Sequence, residues 1–404
     1  MQEVLKVTGK ASRRERDLPA HVVVYYVIAL TLYMAASYRE VRRCLLEGLV
    51  WLLGPAATVK VAAKSSISEA RTRLGWEPLK QLHDQVVAPI ATSATKGAWY
   101  RRWRLVSLDS TTLAVPDTRD NAQTFGRPGA SRGESAFPQV RFVSLVESAT
   151  HVLFGSALGA YREGEISLGA QVVAHLRAGM LCLADRSFLG FELWQQARAT
   201  GADLLWRVKR NVRLPVEKRL PDGSYLSTVY ATQKDRRRGR GGVVVRVIEY
   251  ALEVGDDSEP LYRLVTTLLD HEQAPAQELA ALYPERWEIE TALDELKTHR
   301  RGGAHIVLRS KTPDLVRQEF WGFLLAHFAV RGLMHEAALA ADEDPDRLSF
   351  THAVRVIRRK LPQLAASPPR GGGELIMTRC CGRYWRNEWC RAAGGESRAE
   401  LSAR

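Results

Sequence analysis

The stretch RLVSLDSTTLAV, residues 104–115, is the point at which the chain changes from helical to strand-like sequence. Apolar and β-branched residues fill most of it, and this composition predicts a strand. One acidic residue, Asp109, stands in the middle. A carboxylate inside an apolar strand is costly to bury unless it is paired or bound to a cation. The stretch therefore predicts both the first strand of a sheet and a functional carboxylate.

The elements that follow predict the class of the sheet. Two further strands are expected at 137–148 and 150–161. After them the pattern predicts a helix, a strand, a helix and a strand, at 164–179, 180–188, 190–201 and 202–210. The order strand, strand, strand, helix, strand, helix, strand is that of a ribonuclease H-like α/β core, whose next element is a helix.

A different region precedes that helix. Residues 211–270 are strand-rich and basic, with the charge run KDRRRGRGG. Helical sequence resumes with YPERWEIETALDELK (283–297) and continues at 319–340. We therefore expect five regions: a helical N-terminal DNA-binding domain (1–100), the first part of the core (101–210), a mainly β insertion (211–270), the final helical part of the core (271–345) and a helical, basic tail (346–404).

Composition and charge favour a nucleic acid as the partner. The chain has 404 residues, 58 Lys and Arg against 45 Asp and Glu, a formal net charge of +13 and a pI near 9.7. Such a balance favours a polyanion, although a basic protein without this partner has the same composition. Five cysteines without a CxxC pair do not suit a disulfide framework or a zinc site, which indicates a reducing cytoplasm. Residues 1–20 lack the apolar core of a signal peptide.

The N-terminal region is predicted to be a set of helices. VVVYYVIALTLYMAA (22–36) is uncharged but shorter than the ~20 residues that cross a bilayer, so we expect a buried helix and no membrane span. A second helix is predicted at 37–54 and a third at 65–87, with Arg71 and Arg73 pointing to solvent. Such helices suit DNA docking, and a plain helical subdomain fits the sequence equally well.

Two more acidic residues extend the prediction at Asp109 to a metal site. Asp185 ends the fourth strand, and the first and fourth strands of a ribonuclease H-like sheet are neighbours, so Asp109 and Asp185 are expected to meet. Glu290 would join them from the final helix. Carboxylate oxygens suit Mg²⁺, with Mn²⁺ as a substitute, and the lack of a Cys/His cluster argues against zinc. Two ions about 3.5–4 Å apart, bridged by Asp109, would serve an in-line phosphodiester displacement.

The final helix places further polar groups beside its glutamate. At 100° per residue, four side chains share an arc of roughly 60°: Tyr283, Arg286, Glu290 and Lys297. Arg286 and Lys297 would contact phosphates beside the scissile bond, and Tyr283 would contact another. A solvated face with i,i+4 ion pairs is the alternative explanation of such charges. Pro284 indicates a helix start or a kink at this point.

Other residues of this helix fit the pattern less well. Glu288 and Glu295 point away from Glu290 if the helix is regular. Asp294 lies about 40° from Glu290, but it is one methylene shorter. Trp287 is expected to pack in the core against the sheet.

The chain resembles a known family in the segments that hold these residues. It is similar to the DDE transposases of bacterial insertion sequences in LDSTT, PDTRDNAQTFGRPG, AFPQVRFVSLVE, ADRSF and YPERWEIETALDELK. The last segment matches the Y-(2)-R-(3)-E-(6)-K signature of the insertion-sequence-four type without a departure in spacing. Ser187 stands where relatives often have glycine. The resemblance runs from about residue 18 to residue 340.

The resemblance implies a fold and an activity. It implies a ribonuclease H-like fold interrupted by a mainly β insertion, Mg²⁺-dependent cutting at transposon ends and strand transfer into target DNA. It further implies a homodimer in the DNA complex and a location at the bacterial nucleoid. Some relatives trap a flipped base on an aromatic residue of the insertion. Tyr262 is the candidate for this role, although tyrosine is also a common strand residue.

Other polar residues near these segments have simpler explanations. Asp117 and Asp120 leave the strand that precedes them and suit turn formation. The single histidines His271, His299 and His305 lie in basic surroundings, which is more typical of surface or hydrogen-bonded groups than of catalytic ones.

Two other functions fit the same sequence. A structure-selective nuclease or resolvase would use the same fold and metal ions without joining strands. A transposase-derived protein that only binds DNA would have a broken acidic triad, whereas all three acids are present here. Joined product in a target plasmid would distinguish a transposase from both.

Overall fold

The chain forms two compact units in the computed structural model. The model describes residues 1–12, 18–33, 37, 40–41, 43–44, 64–130, 133–134, 137–251, 261–298 and 307–365. One unit is Ala98–Asp294, and the other combines Met1–Gly97 with Glu295–Arg404. Most of the helix expected at 37–54 and the tail from 366 onward lie outside the described residues. The five regional boundaries expected from the sequence stay predictions.

The described elements follow in chain order. The helices are α1 (Gln2–Val7), α2 (Ala20–Leu32), α3 (Lys64–Leu74), α4 (Glu77–Val86), α5 (Arg119–Phe125), α6 (Glu165–Val173), α7 (Phe191–Ala199), α8 (Gln233–Arg238), α9 (Ala276–Leu282), α10 (Glu288–Thr298), α11 (Pro313–Ala341) and α12 (Phe350–Ala365). The strands are β1 (Trp99–Tyr100), β2 (Trp103–Ala114), β3 (Gly129–Ala130), β4 (Gly133–Glu134), β5 (Gln139–Glu147), β6 (Leu153–Ala160), β7 (Met180–Ala184), β8 (Asp203–Arg207), β9 (Lys218–Arg219), β10 (Tyr225–Val229), β11 (Val243–Tyr250) and β12 (Tyr262–Thr266). Two 3₁₀ turns lie at Tyr283–Trp287 and Pro345–Arg347.

The strands β6-β5-β2-β7-β8, in this order, form the core of the sheet. β2 pairs antiparallel with β5 and parallel with β7, where Leu108 is in register with Ala184. β7 is buried along its whole length, as expected for a parallel strand that is covered on both faces. The first and fourth predicted strands are thus neighbours, and the ribonuclease H-like α/β fold is confirmed.

The insertion continues the same sheet. β12 pairs antiparallel with β8, and β11, β10 and β9 follow toward the edge. Pairing with β12 satisfies backbone groups that β8 would otherwise leave open at a sheet edge. The mainly β character of the insertion is as predicted, and its strands are at the same time an extension of the core sheet.

The segment with the signature residues is not one regular α-helix. Between α9 and α10 the chain makes a 3₁₀ turn at Tyr283–Trp287. Pro284 has no backbone N–H and so interrupts the helical ladder. Side chains at i and i+3 eclipse in a 3₁₀ turn, so Tyr283 and Arg286 lie on one side, and both are buried. The single regular helix predicted over 283–297 is wrong at its start.

The helical unit packs α2 and α4 against α11. α2 is buried over most of its length, which confirms the buried helix predicted at 22–36 for its described part. α2 and α11 approach closely at Gly322, where an added Cβ atom would lie 2.7 Å from Val27 Cγ1. A larger residue at position 322 would push these two helices apart.

The helix predicted at 65–87 is in fact two helices. Gly75, with φ of +73°, separates α3 from α4. Arg71 is buried, and its guanidinium donates to Gln318 Oε1 (2.8 Å) and Ser310 Oγ (3.0 Å). Arg73 is exposed. The outward position predicted for Arg71 is therefore wrong, because distant acceptors satisfy its charge inside the unit.

α11 is 29 residues long and includes the helix predicted at 319–340. Pro313 begins it, and Asp342 ends it in the left-handed conformation, with φ of +54°. Within the described ranges, no helix is both long and apolar enough to cross a membrane.

Candidate active site

Strand pairing brings two acidic residues together. β2 and β7 are in register up to the residue before each acid, and the next positions are Asp109 and Asp185. Backbone groups hold both carboxylates: Ser110 N donates to Asp109 Oδ1 (2.7 Å), and Arg186 N donates to Asp185 Oδ1 (2.5 Å). The structure thus places side by side the two acids that the sequence put on neighbouring strands.

Burial makes Asp109 a weaker acid than an ordinary aspartate. Desolvation is the main reason that the pKa of Asp109 is raised, to about 6, and its side chain is only 19% exposed. The carboxylates of Asp185 and Glu290 also raise this pKa, whereas the N–H of Ser110 and the charge of Arg286 lower it. The three acids therefore share one electrostatic environment, and a cation among them would relieve their repulsion.

Arg286 supplies positive charge between two of the acids. Its Nη1 donates to Asp109 Oδ2 (3.2 Å), and its Nη2 lies 3.7 Å from Glu290 Oε1. Its Nε is buried without a hydrogen-bond partner among the described residues. The guanidinium also lies 4.9 Å from the ring centroid of Trp287. Trp287 is 57% exposed, so the core position predicted for this tryptophan is wrong.

Tyr283 is anchored inside the unit. Its hydroxyl donates to the carbonyl oxygen of Ala184 (3.2 Å), the residue directly before Asp185. Burial raises the pKa of Tyr283 above its usual range. The tyrosine therefore ties the 3₁₀ turn to the end of β7, and a phosphate contact from its hydroxyl stays a prediction.

Glu288 anchors the start of α10 at a second point of the sheet. Its carboxylate is buried and accepts a 2.6 Å hydrogen bond from Ala149 N, in the turn between β5 and β6. His151 Nε2 lies 3.9 Å from the same carboxylate. Sequence reasoning missed this anchor, because a glutamate that points away from Glu290 on a helix carries no signal of its partner.

The remaining acids near the signature have other surroundings. In the helical unit, Glu295 is paired with Arg331 and its Oε2 lies 3.4 Å from His327 Nε2. Asp294 is exposed. Asp117 follows the end of β2 and is paired with Arg127. Asp120 lies in the first turn of α5.

The donor set fits a divalent cation in its chemistry. It consists of carboxylate oxygens alone, which Mg²⁺ and Mn²⁺ prefer. Asp109 is desolvated and next to two like charges, so a nearby cation would favour the charged form of its carboxylate. In the part of the chain that the structure describes, the side chains do not already form a cluster of three or more metal ligands. The Arg286 guanidinium is the cation that lies between Asp109 and Glu290.

Tyr262 and Lys297 are the other predicted DNA contacts, and only the first has a described side chain. Tyr262 begins β12, and its ring lies 5.6 Å from that of Tyr250 and 4.0 Å from the guanidinium of Arg207. The side chain of Lys297 lies outside the described residues, as do His299 and His305.

Comparison with known proteins matches nearly the whole chain. Residues 1–84 match the family described as "Insertion element 4 transposase N-terminal", and residues 103–329 match "Transposase DDE domain". The chain is 27% identical, over 379 residues, to the transposase InsG for insertion sequence element IS4 of Escherichia coli strain K12, which covers 92% of this chain and 83% of the relative. It is also similar to the piggyBac transposase in a synaptic complex with hairpin DNA, with a TM-score of 0.46 and 10% identity over 95% of this chain and 80% of that one.

Proposed function

Because the chain belongs to the DDE transposases of the insertion-element-4 type, we propose that it binds the ends of its insertion sequence, cuts them by metal-dependent phosphodiester hydrolysis and joins them to target DNA. Its family makes it an enzyme of DNA transposition, with DNA as its partner. One observation carries the finer proposal: the register of β2 and β7 puts Asp109 beside Asp185, and the Arg286 guanidinium contacts both Asp109 and Glu290.

The three acids are the proposed metal ligands. DDE transposases generally use divalent metal ions. We assign Asp109, Asp185 and Glu290 to two Mg²⁺ ions, for which Mn²⁺ would substitute. When bound, the ions would supply charge stabilisation to the attacking and departing oxygens. Arg286 holds Asp109 and Glu290 within reach of one another, and it keeps the desolvated Asp109 from standing as an isolated charge.

Three residues of the signature are the proposed phosphate contacts. Arg286 has a buried Nε without a described partner, so this residue keeps a donor for an incoming oxygen. Lys297 would contact a neighbouring phosphate. Tyr283 would have to exchange the carbonyl oxygen of Ala184 for a phosphate oxygen. In the insertion, Tyr262 is assigned to stack on an unpaired base.

The wider assembly is part of the proposal. The helical N-terminal region, 1–100, would bind the transposon end, and the match of residues 1–84 to a transposase N-terminal family supports this role. A homodimer would hold two ends at once. The protein would act at the bacterial nucleoid, where its DNA lies.

Cleavage and joining assays with cut ends and a target plasmid test the proposal. Asp109→Asn and Glu290→Gln should each lower cleavage and joining by roughly a thousandfold, about 4 kcal/mol of transition-state stabilisation, with end binding intact. Asp294→Asn is the matched control and should keep substantial activity. Full cleavage by Asp109→Asn would refute the ligand assignment. Cleavage without joined product would indicate the structure-selective nuclease instead.

A further inference from the structure

The insertion holds much of the positive charge of the chain. Residues 209–240 contain ten Lys or Arg against three Asp or Glu, a net charge of +7 where the whole chain has +13. We call the ten basic side chains the insertion basic surface: Lys209, Arg210, Arg213, Lys218, Arg219, Lys234, Arg236, Arg237, Arg238 and Arg240. The residues proposed above for catalysis do not include any of them.

The charges of this surface are open to a partner. Nine of the ten side chains are exposed and Arg236 is partly exposed. Among the described residues, none of the ten forms an ion pair. The three acids of the region are engaged locally: Glu217 accepts from Thr228, Asp235 accepts from Thr232, and Asp222 is paired with Arg246.

Internal contacts order the backbone that carries these charges. Arg263 donates to the carbonyl oxygens of residues 209, 210 and 212, at 3.0, 2.5 and 3.1 Å. Thr232 caps α8 by accepting from Asp235 N (3.1 Å), and Gly239 ends that helix with φ of +61°. Arg236 Nη1 lies 3.5 Å from the carbonyl oxygen of Arg213, which links the two basic segments. A backbone ordered in this way presents its charges with little further loss of entropy on binding.

The sheet sets the distance of this surface from the acids. Residue 209 follows the carboxyl end of β8, which is parallel to β7. It therefore lies at the same end of these two strands as Asp185. β9, with Lys218 and Arg219, is five strand spacings from β7. At about 4.8 Å per spacing, this is about 24 Å. Along a DNA duplex, which rises about 3.4 Å per base pair along its axis, the same distance covers about seven base pairs.

We propose that the insertion basic surface binds the phosphate backbone of duplex DNA that continues from the cut site across the insertion. The phosphates bound at β9 would lie about seven base pairs from the scissile bond. The proposal rests on the proposed function, because it takes the acids as the site of cutting. The contacts are made by exposed Lys and Arg without a base-reading element, so they act independently of sequence.

Salt dependence of binding tests the surface itself. The full-length protein and its variants are titrated with a duplex of arbitrary sequence at several salt concentrations. Lys218→Gln/Arg219→Gln and Arg237→Gln/Arg238→Gln should each make the slope of log K against log salt shallower by about two units, since each phosphate contact contributes about 0.9. The control Arg198→Gln/Arg355→Gln removes two exposed charges elsewhere and should leave the slope unchanged. Unchanged slopes in both test variants, or an equal change in the control, would show a solvated face.

Phosphate-ethylation interference on transposon-end DNA tests the placement. Lys218→Gln/Arg219→Gln should lose interference at phosphates about seven base pairs from the cut bond, by the spacing above. Loss at the phosphates next to the cut would overturn the placement. If the salt slopes change as expected but the wild-type protein cuts no ends, the proposed function fails while the phosphate-binding surface stands.

Discussion

Two buried arginines of the sheet-containing unit, Arg246 and Arg286, have opposite surroundings. Arg246 is 0% exposed, and acceptors surround its guanidinium. Nε donates to Ser224 Oγ (2.8 Å), Nη1 donates to the carbonyl oxygen of Ala274 (2.7 Å), and Nη2 is paired with Asp222. This arginine ties the insertion to the loop before α9.

Arg286 has fewer and longer contacts. It makes one 3.2 Å hydrogen bond to Asp109 and a 3.7 Å ion pair with Glu290, and its Nε has no described partner. Buried polar groups in proteins are nearly always satisfied, so an exception points to a strained or functional site. Burial alone therefore does not mark a functional arginine, whereas incomplete pairing beside crowded carboxylates does.

The largest expected effect is on stability, at Arg246. Arg246→Met removes the guanidinium from Asp222, Ser224 Oγ and the carbonyl oxygen of Ala274, and should lower the free energy of unfolding by about 4 kcal/mol. Activity per folded molecule should stay the same. Urea unfolding of the variant and the wild-type protein measures the free energy of unfolding. Cleavage rates normalised to folded protein measure the activity. A loss of under about 1 kcal/mol would remove the contrast with Arg286.

The second prediction is that Asp109, which Arg286 contacts, makes the stability of the folded protein depend on pH. The pKa of Asp109 is raised from 3.8 to about 6 in the folded protein, where Arg286, Asp185 and Glu290 face it. Between these values the folded state binds more protons than the unfolded state, so stability falls as pH rises through this window and is constant above it. The contribution is of the order of 3 kcal/mol.

Asp109→Asn isolates this effect, because the other titrating groups are common to both proteins. In metal-free buffer, the variant should gain stability relative to wild type as pH rises from 4 to 6, by about 3 kcal/mol in total, and no more above pH 6. Urea unfolding at a series of pH values checks it. A stability difference that does not vary with pH would mean that Asp109 has an ordinary pKa.

Removing Arg286 should reverse the pattern seen at Arg246. Arg286→Met should lower cleavage about 100-fold, equivalent to about 2.7 kcal/mol, through lost phosphate and carboxylate positioning. Its effect on unfolding should stay within about 1 kcal/mol, because the arginine is poorly satisfied in the folded state. Single-turnover cleavage and urea unfolding measure the two. A stability loss as large as that of Arg246→Met would place Arg286 among the structural arginines.

The smallest expected effect concerns Glu288. Glu288→Ala leaves Ala149 N buried without its acceptor and should cost about 2 kcal/mol of stability. Glu288→Gln keeps an oxygen that accepts from this N–H and should cost clearly less. Urea unfolding compares the two, with Glu285→Ala as the control at an exposed position of the same segment. Equal losses in the alanine and glutamine variants would mean that the negative charge matters more than the hydrogen bond.

The fold and the acid pair follow from sequence order. In a ribonuclease H-like order the first and fourth strands are neighbours, so the position of each acid in its strand predicts that Asp109 and Asp185 meet. Trp287 and Arg71 show the limit of such reasoning. The 3₁₀ turn changed the rotation per residue before Trp287, and the acceptors of Arg71 lie as far along the chain as Gln318.

The sequence by itself determined the ribonuclease H-like order of strands and helices, the mainly β insertion and the spacing of the signature, because local pattern and chain connectivity specify these features. Only the tertiary structure decided that Arg246 is satisfied and Arg286 is not, that the Tyr283 hydroxyl donates to Ala184, and that Glu288 reaches the turn between β5 and β6. These contacts join residues far apart in the chain. Their pairing depends on which buried donors and acceptors meet after the layers have packed, and the periodicity of the sequence does not predict these partners.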